Sequence, residues 1–385
     1  MMKNSIAAAV VAASLGFATA AQAEITVGFI TSQSGPGSSI GVLYDRGMKA
    51  AVEYASSVGA EKVKLIQLDD GSDPSSATRN ARKLVEENKV DLLIGTSTAA
   101  STSAMVPIAN ELKVPMIAIS PISVAANDAG DRWAIVMPQP PTLMVKVVVD
   151  RMKRDGVKQF AYIGFSDAWG DLVYNGAQKP AEADGLKILT NERYVRTDTS
   201  VTGQVLKMMA TKPDAVLLGG AATQGALPPL ALAERGYKGP LYGTPALLNT
   251  DFIRVGGKAV EGVQVSAGPV VVAEQLPDTH FSKKISMDFR AAYQKANGSP
   301  TSDAFSAYSF DAWLVFLDAA KRAMATGAKP GTPEFRVALR NAIFNTNDLV
   351  GTHAIYNYKP SDSYGVDERA LVMVRLVNGQ WKYEP

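Results

Sequence analysis

The chain has 385 residues, 46% apolar and 20% charged, a balance that suits a globular protein and excludes a disordered one. Lysine and arginine total 39 against 37 acids, and the formal charge of +2 excludes the strongly basic surface that a nucleic-acid partner requires. Cysteine is absent, so there is neither a disulfide framework nor a lipid-modified thiol to tether an exported protein to a membrane.

Residues 1–23 combine Lys3, an apolar region from about Ile6 to Ala20 and the small-x-small ending Ala21-Gln22-Ala23, the pattern of a secretory signal peptide. The apolar part falls short of the roughly 20 residues a spanning helix needs, and no later run is long enough, so no membrane insertion is expected. The mature chain is expected to start at Glu24 with a formal charge of +1 and to diffuse in the periplasm as a monomer. Its length suits two domains.

In chain order, Ile25–Ile30 is a continuous apolar strand, followed by the turn Ser34-Gly35-Pro36-Gly37 and a helix over about Gly41–Ser57. Lys62–Leu68 is the next strand, ending in Asp69-Asp70. Asp73-Pro74 supplies a helix cap and first turn, with the helix reaching about Asn88. Leu92–Ile94 and Pro115–Ile119 are the third and fourth strands, separated by a helix. Short continuous apolar strands alternating with helices indicate a parallel sheet covered on both faces.

After Pro138, Pro140 and Pro141 the alternation repeats. Helices are expected over Thr142–Arg154, Trp169–Ala183, Thr202–Ala210 and through Leu230 and Glu234. Strands are expected over Phe160–Phe165, Leu186–Tyr194, Ala215–Gly219, Leu241–Thr244 and Gly262–Val265. Past Gly268-Pro269 the pattern turns helical, over Thr279–Ala296, Asp303–Thr326 and Pro333–Asn345, before strands at Ala354–Tyr358 and Ala370–Leu376. That helical block completes the first domain if the chain crosses back, which implies several hinge crossings.

Ligands of open parallel sheets sit beyond the carboxyl ends of the strands. The candidate cleft segments are therefore Thr31–Gly37, Thr96–Ser101, Ser120–Ser123, Phe165–Trp169, Gly219–Thr223 and Gly243–Leu247. The stretch Leu92–Ser103, LLIGTSTAASTS, runs from a strand into a helix that starts near Ala99 or Ala100. Its first N–H groups lack intrahelical acceptors and suit a small anion together with Ser97, Thr98 and Ser101. No Lys or Arg lies between Lys89 and Lys113, so a carboxylate here would rest on N–H groups and hydroxyls. Taken alone, a Ser/Thr-rich N-cap accounts for the stretch without any ligand.

Several motifs in order and spacing resemble the type I periplasmic binding proteins of ABC importers, in particular the branched-chain (Leu/Ile/Val) amino-acid-binding branch. They are Ser34-Gly35-Pro36, Asp69 to Pro74 with Ala77 behind, Ile94-Gly95, Val114-Pro115, Ser120-Pro121, Trp169-Gly170 and Gly219-Gly220. The resemblance covers almost the whole mature chain. It implies an α/β fold of two doubly wound parallel-sheet lobes joined by a multi-strand hinge. Residues 24–139 plus 270–355 would form lobe 1, and 140–269 plus 356–385 lobe 2.

The resemblance further implies a carboxylate held by Ser97, Thr98 and Ala99 and by the strand end Ser120, Ile122 and Ser123. Trp169 would close over it from lobe 2, with Phe165 near. Two departures stand out. Ala99 replaces the serine whose hydroxyl grips the carboxylate in amino-acid binders, leaving Thr98 or Ser97 to substitute. Lobe 2 reads Gly243-Thr244-Pro245-Ala246 where an acid should meet the ammonium, and Ala221 replaces an aromatic residue. A buried unpaired ammonium costs several kcal/mol. The expected ligand is therefore a small carboxylate without an α-amino group: an aromatic, 2-oxo or branched acid. The alternative is a branched-chain or other hydrophobic amino acid. The expected partner is an inner-membrane ABC permease, with no cofactor, metal or catalytic residue.

An enzyme reading finds little support. His280 and His353 are the only histidines, too far apart for a metal-spaced pair, and both read as ordinary surface or helix residues. Neither a G-x-S-x-G elbow nor a P-loop occurs. Asp69 and Asp70 fit turn and capping roles, and Phe310, Trp313 and Phe316 recur at helical spacing that marks packing. A ligand sensor of the same fold is a further alternative.

Overall fold

The computed structural model describes residues 24–126 and 130–385; the expected signal peptide, residues 1–23, lies outside the described residues. The first half of the chain runs β1 (Ile25–Thr31), α1 (Ser38–Tyr54), β2 (Ser57–Val58), β3 (Glu61–Asp69), α2 (Pro74–Glu86), β4 (Leu92–Gly95), α3 (Ala99–Leu112), β5 (Met116–Ala118) and β6 (Ala134–Val136). These strands form one sheet in the order β2-β3-β1-β4-β5-β6, parallel except for β2. The strands are apolar on both faces because helices cover both, and the buried runs Val27–Ile30 and Leu92–Ile94 form the centre of that core.

A second unit runs α4 (Pro141–Arg154), β7 (Gln159–Phe165), α5 (Ala168–Ala183), β8 (Lys187–Tyr194), α6 (Thr202–Ala210), β9 (Ala215–Gly219), α7 (Leu227–Glu234), β10 (Leu241–Gly243), α8 (Thr250–Gly256) and β11 (Gln264–Ala267). The chain then returns through α9 (Lys283–Asn297), α10 (Ala304–Met324), α11 (Pro333–Phe344), β12 (Leu349–Val350) and β13 (Ile355–Tyr356), and ends in β14 (Val372–Val377) and β15 (Gln380–Glu384). The second sheet has the order β15-β14-β11-β10-β9-β7-β8. Its last two strands are antiparallel, so the sheet is mixed and not wholly parallel. Helices α9 and α10 pack on α1, which makes the first lobe discontinuous in sequence.

Local chemistry explains the boundaries. Asp73 accepts from Ser76 N and Pro74 opens α2, as the sequence predicts. Asp303 caps α10 in the same way. Four strands escape the sequence reading: β2, β6, β12 and β15. The first three have three residues or fewer, too short for a periodicity, and β15 carries only exposed and half-buried positions along a solvent edge.

The segment 356–366, placed with lobe 2 on sequence, packs on lobe 1. Tyr358 donates to Val136 O at 3.1 Å, Val136 N to Ser363 O at 2.8 Å, and Tyr364 to Ile122 O at 2.8 Å. The third crossing therefore lies just before β14. His353 is a fully buried residue and not a surface one, its Nε2 against Ala304 O at 3.0 Å and its ring stacked on Tyr308 at 3.8 Å. Gly268, at the second crossing, faces that ring: a Cβ there would run into His353 Nδ1.

Candidate functional site

In the first sheet β1 connects outward to β3, and the chain then jumps over β1 to reach β4. The strand order thus reverses between β1 and β4. In the second sheet it reverses between β7 and β9. The crevices outside the carboxyl ends of these two strand pairs face each other. Between them lies a cleft whose empty space, open mouth included, is about 470 Å³.

Lobe 1 floors the cavity with Ser97, Thr98, Ala99 and Ser120. Proton accounting separates them. Ser97 Oγ accepts from Ser32 N at 2.9 Å and contacts Thr31 Oγ1 at 3.0 Å. Thr31 spends its proton on Gly41 O, so Ser97 must donate to Thr31 and has no proton left for a ligand. The expectation that Ser97 could replace the missing serine hydroxyl is therefore corrected: it ties β1 to β4. Ser120 Oγ likewise donates to Ser97 O at 3.3 Å.

Thr98 is different. As the N-cap of α3 its Oγ1 accepts from Ser101 N at 3.2 Å, which leaves its own proton free. Beside it, the Ala99 and Ala100 N–H groups open the helix without intrahelical acceptors. Behind the loop, Asp70 holds the strand ends in register, accepting from Ser32 Oγ, Thr96 Oγ1 and Ser72 N at 2.6 to 2.9 Å. Asp70 thus has the turn role read from sequence. Thr98→Val keeps shape but removes the cap, and should cost about 1 kcal/mol in urea unfolding. Thr98→Ser should restore it.

Lobe 2 contributes Trp169, Ala221, Pro245 and Ala246, and one residue the sequence reading missed, Arg196. Asp167 organises this side. One of its oxygens caps α5 through Trp169 N and Gly170 N, at 3.0 and 3.2 Å; the other takes Arg196 Nε at 2.6 Å. The guanidinium carbon lies 4.1 Å from the centre of the Phe165 ring. Arg196 lines the cavity, and its two terminal amino groups make no hydrogen bond among the described residues. Trp169 donates its indole N–H to Gly220 O at 3.4 Å and is 6% exposed.

Four predicted residues stand elsewhere. Phe165 is fully buried beneath Arg196, and Ile122 is buried in the core. Ser123 is exposed past the strand end. Thr244 is buried without a hydroxyl partner among the described residues, one position before the lining Pro245. The remaining walls are aromatic and apolar: Tyr44, Phe305 and Tyr308, with Ile40 and Met144. Tyr44 donates to Ile119 O and Tyr308 to Gln139 Oε1, and burial pushes both phenols well up, so both stay neutral. Phe305 and Tyr308 lie in the first two turns of α10, ahead of the residues whose helical spacing marks packing.

Two signals pointed to the missed residues. Arg196 lies two residues beyond the carboxyl end of β8, a strand end omitted from the cleft segments. Tyr44 sits in the second turn of α1, the helix that follows the first cleft segment.

A family model described as periplasmic binding protein matches residues 24–374. The chain belongs to the periplasmic binding protein family. Members of the family bind solutes for ABC-type importers, and α/β lobes of the kind described above are its fold. An extracellular ligand-binding receptor from Rhodopseudomonas palustris HaA2 is 41% identical, with a TM-score of 0.89 over 94% of this chain and 100% of that one. A Leu/Ile/Val-binding protein homologue from Brucella melitensis is 25% identical over 65% of this chain and 69% of its own length. A solute-binding protein of an ABC transporter from R. palustris, solved in complex with benzoate, shares the fold at 21% identity. Its TM-score is 0.76, over 94% of this chain and 95% of that one.

Proposed function

We propose that this protein is the periplasmic solute-binding component of an ABC importer, and that it captures a small carboxylate without an α-amino group. The observation that carries this reading is the charge of the cavity: among the described residues that line it there is one cation, Arg196, and no aspartate or glutamate. A carboxylate finds charge-assisted donors at Arg196, with Thr98 and the α3 amides opposite. An ammonium would be left without a counter-ion in a largely apolar space.

The apolar walls favour an aromatic ring over a short aliphatic acid. Tyr44, Phe305, Tyr308 and Trp169 offer flat faces and edges that suit ring packing. The benzoate held by the R. palustris protein of the same fold has that chemistry. No helix among the described residues is long and apolar enough to cross a membrane.

Binding follows from the two-lobed fold. The carboxylate first meets Thr98 and the α3 amides; closure then brings Arg196 and Trp169 against it, and the closed form docks on the permease. Isothermal titration with benzoate, 4-methyl-2-oxopentanoate and leucine tests the reading. Benzoate is expected to bind at least tenfold more tightly than leucine. Tight leucine binding with no response to either acid would overturn it.

A further inference from the structure

The cleft carries a contact between its two lips that involves neither the hinge nor the ligand seat. Asn249 stands at the N-cap of α8 in lobe 2 and is 2% exposed. Its Oδ1 accepts from Asp251 N at 2.7 Å, as an N-cap should. That bond fixes the amide's orientation, so its Nδ2 faces outward from lobe 2, where it donates to Ser39 O of lobe 1 at 3.0 Å. Ser39 belongs to the first turn of α1 and immediately precedes Ile40, a cavity-lining residue. On the other lip, Ala246 lines the cavity three residues before Asn249.

We propose that Asn249 is a closure latch, a positioning residue that stabilises the closed form independently of what is bound. Its acceptor half builds its own helix and its donor half grips the opposite lobe, so one side chain registers lobe 2 against the start of α1. Because the contact is protein to protein, it adds the same increment to every ligand's apparent affinity. A side chain facing the cavity would instead discriminate between ligands.

The dual role allows a clean separation. Asn249→Asp and Asn249→Ser both keep an N-cap acceptor. Aspartate has no donor and sets its carboxylate against the Ser39 carbonyl, whereas serine is too short to reach it. Closure is read without any ligand by exploiting the cysteine-free chain. Ser38→Cys and Thr250→Cys place one thiol on each side of the groove that those two residues line, for joining by a short bis-maleimide. In the ligand-free protein both latch variants are expected to slow cross-linking about tenfold with an unchanged urea midpoint. Titrated with benzoate and with leucine, they should weaken each by the same factor, about tenfold, equivalent to about 1.4 kcal/mol. Equal cross-linking rates in parent and variants, no cross-linking in the parent, or an affinity loss confined to one ligand would overturn the latch. The cross-linking arm does not depend on ligand chemistry, so a failure of the carboxylate reading leaves it decisive.

Discussion

Arg196→Met is expected to weaken benzoate binding about a hundredfold while leaving the fold intact. The guanidinium is held at Nε by Asp167 and from below by the Phe165 ring, so its amino groups meet a carboxylate without further ordering cost. Truncating one partner of a buried, hydrogen-bonded charge pair costs about 2–5 kcal/mol, and 2.8 kcal/mol is roughly a hundredfold. Part of the loss comes from Asp167, whose charge then stands unneutralised behind the cavity wall. Arg196→Lys keeps the charge without the planar fork and should lose less, about tenfold. Benzamide, which matches benzoate in shape without its charge, should bind parent and Arg196→Met within a few-fold of each other. Titration calorimetry of the three proteins with both ligands reads all of this. An unchanged benzoate affinity in Arg196→Met would move the carboxylate away from lobe 2.

The Met variant should not unfold. Asp167 keeps its capping bonds to Trp169 N and Gly170 N, and the one hydrogen bond of the Arg196 side chain among the described residues is the one to Asp167. The pair is partly solvated, with side chains 14% and 31% exposed, so its contribution to stability is small next to its contribution to binding.

The fold was legible because its strands are continuous apolar runs, and their alternation with helices admits few topologies. Ala215–Gly219 and Thr202–Ala210 appear with the expected boundaries. The site was legible only in part, since strand ends announce where a cleft lies but not which side chains turn into it. Ser97 and Thr98 are neighbours of similar chemistry, yet one proton is spent inside lobe 1 and the other is free. That difference depends on Thr31 and Gly41, more than fifty residues away in sequence. Arg196 was invisible for a related reason: nothing local distinguishes it from any arginine after a strand until Asp167 and Phe165 fix it over the cleft.

The lobe 1 cluster behind Tyr308 should show a pH dependence that only mutation reveals. Asp311 is fully buried and accepts from Thr352 N at 2.8 Å, His353 N at 3.0 Å and Tyr356 OH at 2.8 Å. Burial nonetheless pushes its carboxyl up to about 6, and burial pulls the adjacent His353 imidazole down to about 3. For His353 the unfolded chain takes up a proton below about pH 6.5 and the folded one does not, so acidification towards pH 3 removes stability. For Asp311 the folded state keeps a proton that the unfolded state has lost above about pH 4, so stability falls as pH rises from 4 to 6. The two slopes have opposite sign over the same interval and cancel, leaving the parent nearly flat in this contribution. His353→Gln, whose amide can still donate to Ala304 O, should unmask Asp311 and gain about 3 kcal/mol on acidification from pH 6 to 4, relative to the parent. Asp311→Asn should lose about 3 kcal/mol over that interval, besides a pH-independent cost from backbone N–H groups left facing an amide. Urea unfolding at pH 4, 5 and 6 reads both, with every other carboxylate common to the three proteins. Parallel pH curves for parent and variants would mean that neither group changes protonation on unfolding in this range. Opposed curves would establish a buried neutral pair behind Tyr308, so that the wall of the ligand cavity rests on a lobe 1 cluster whose stability is buffered between pH 4 and 6.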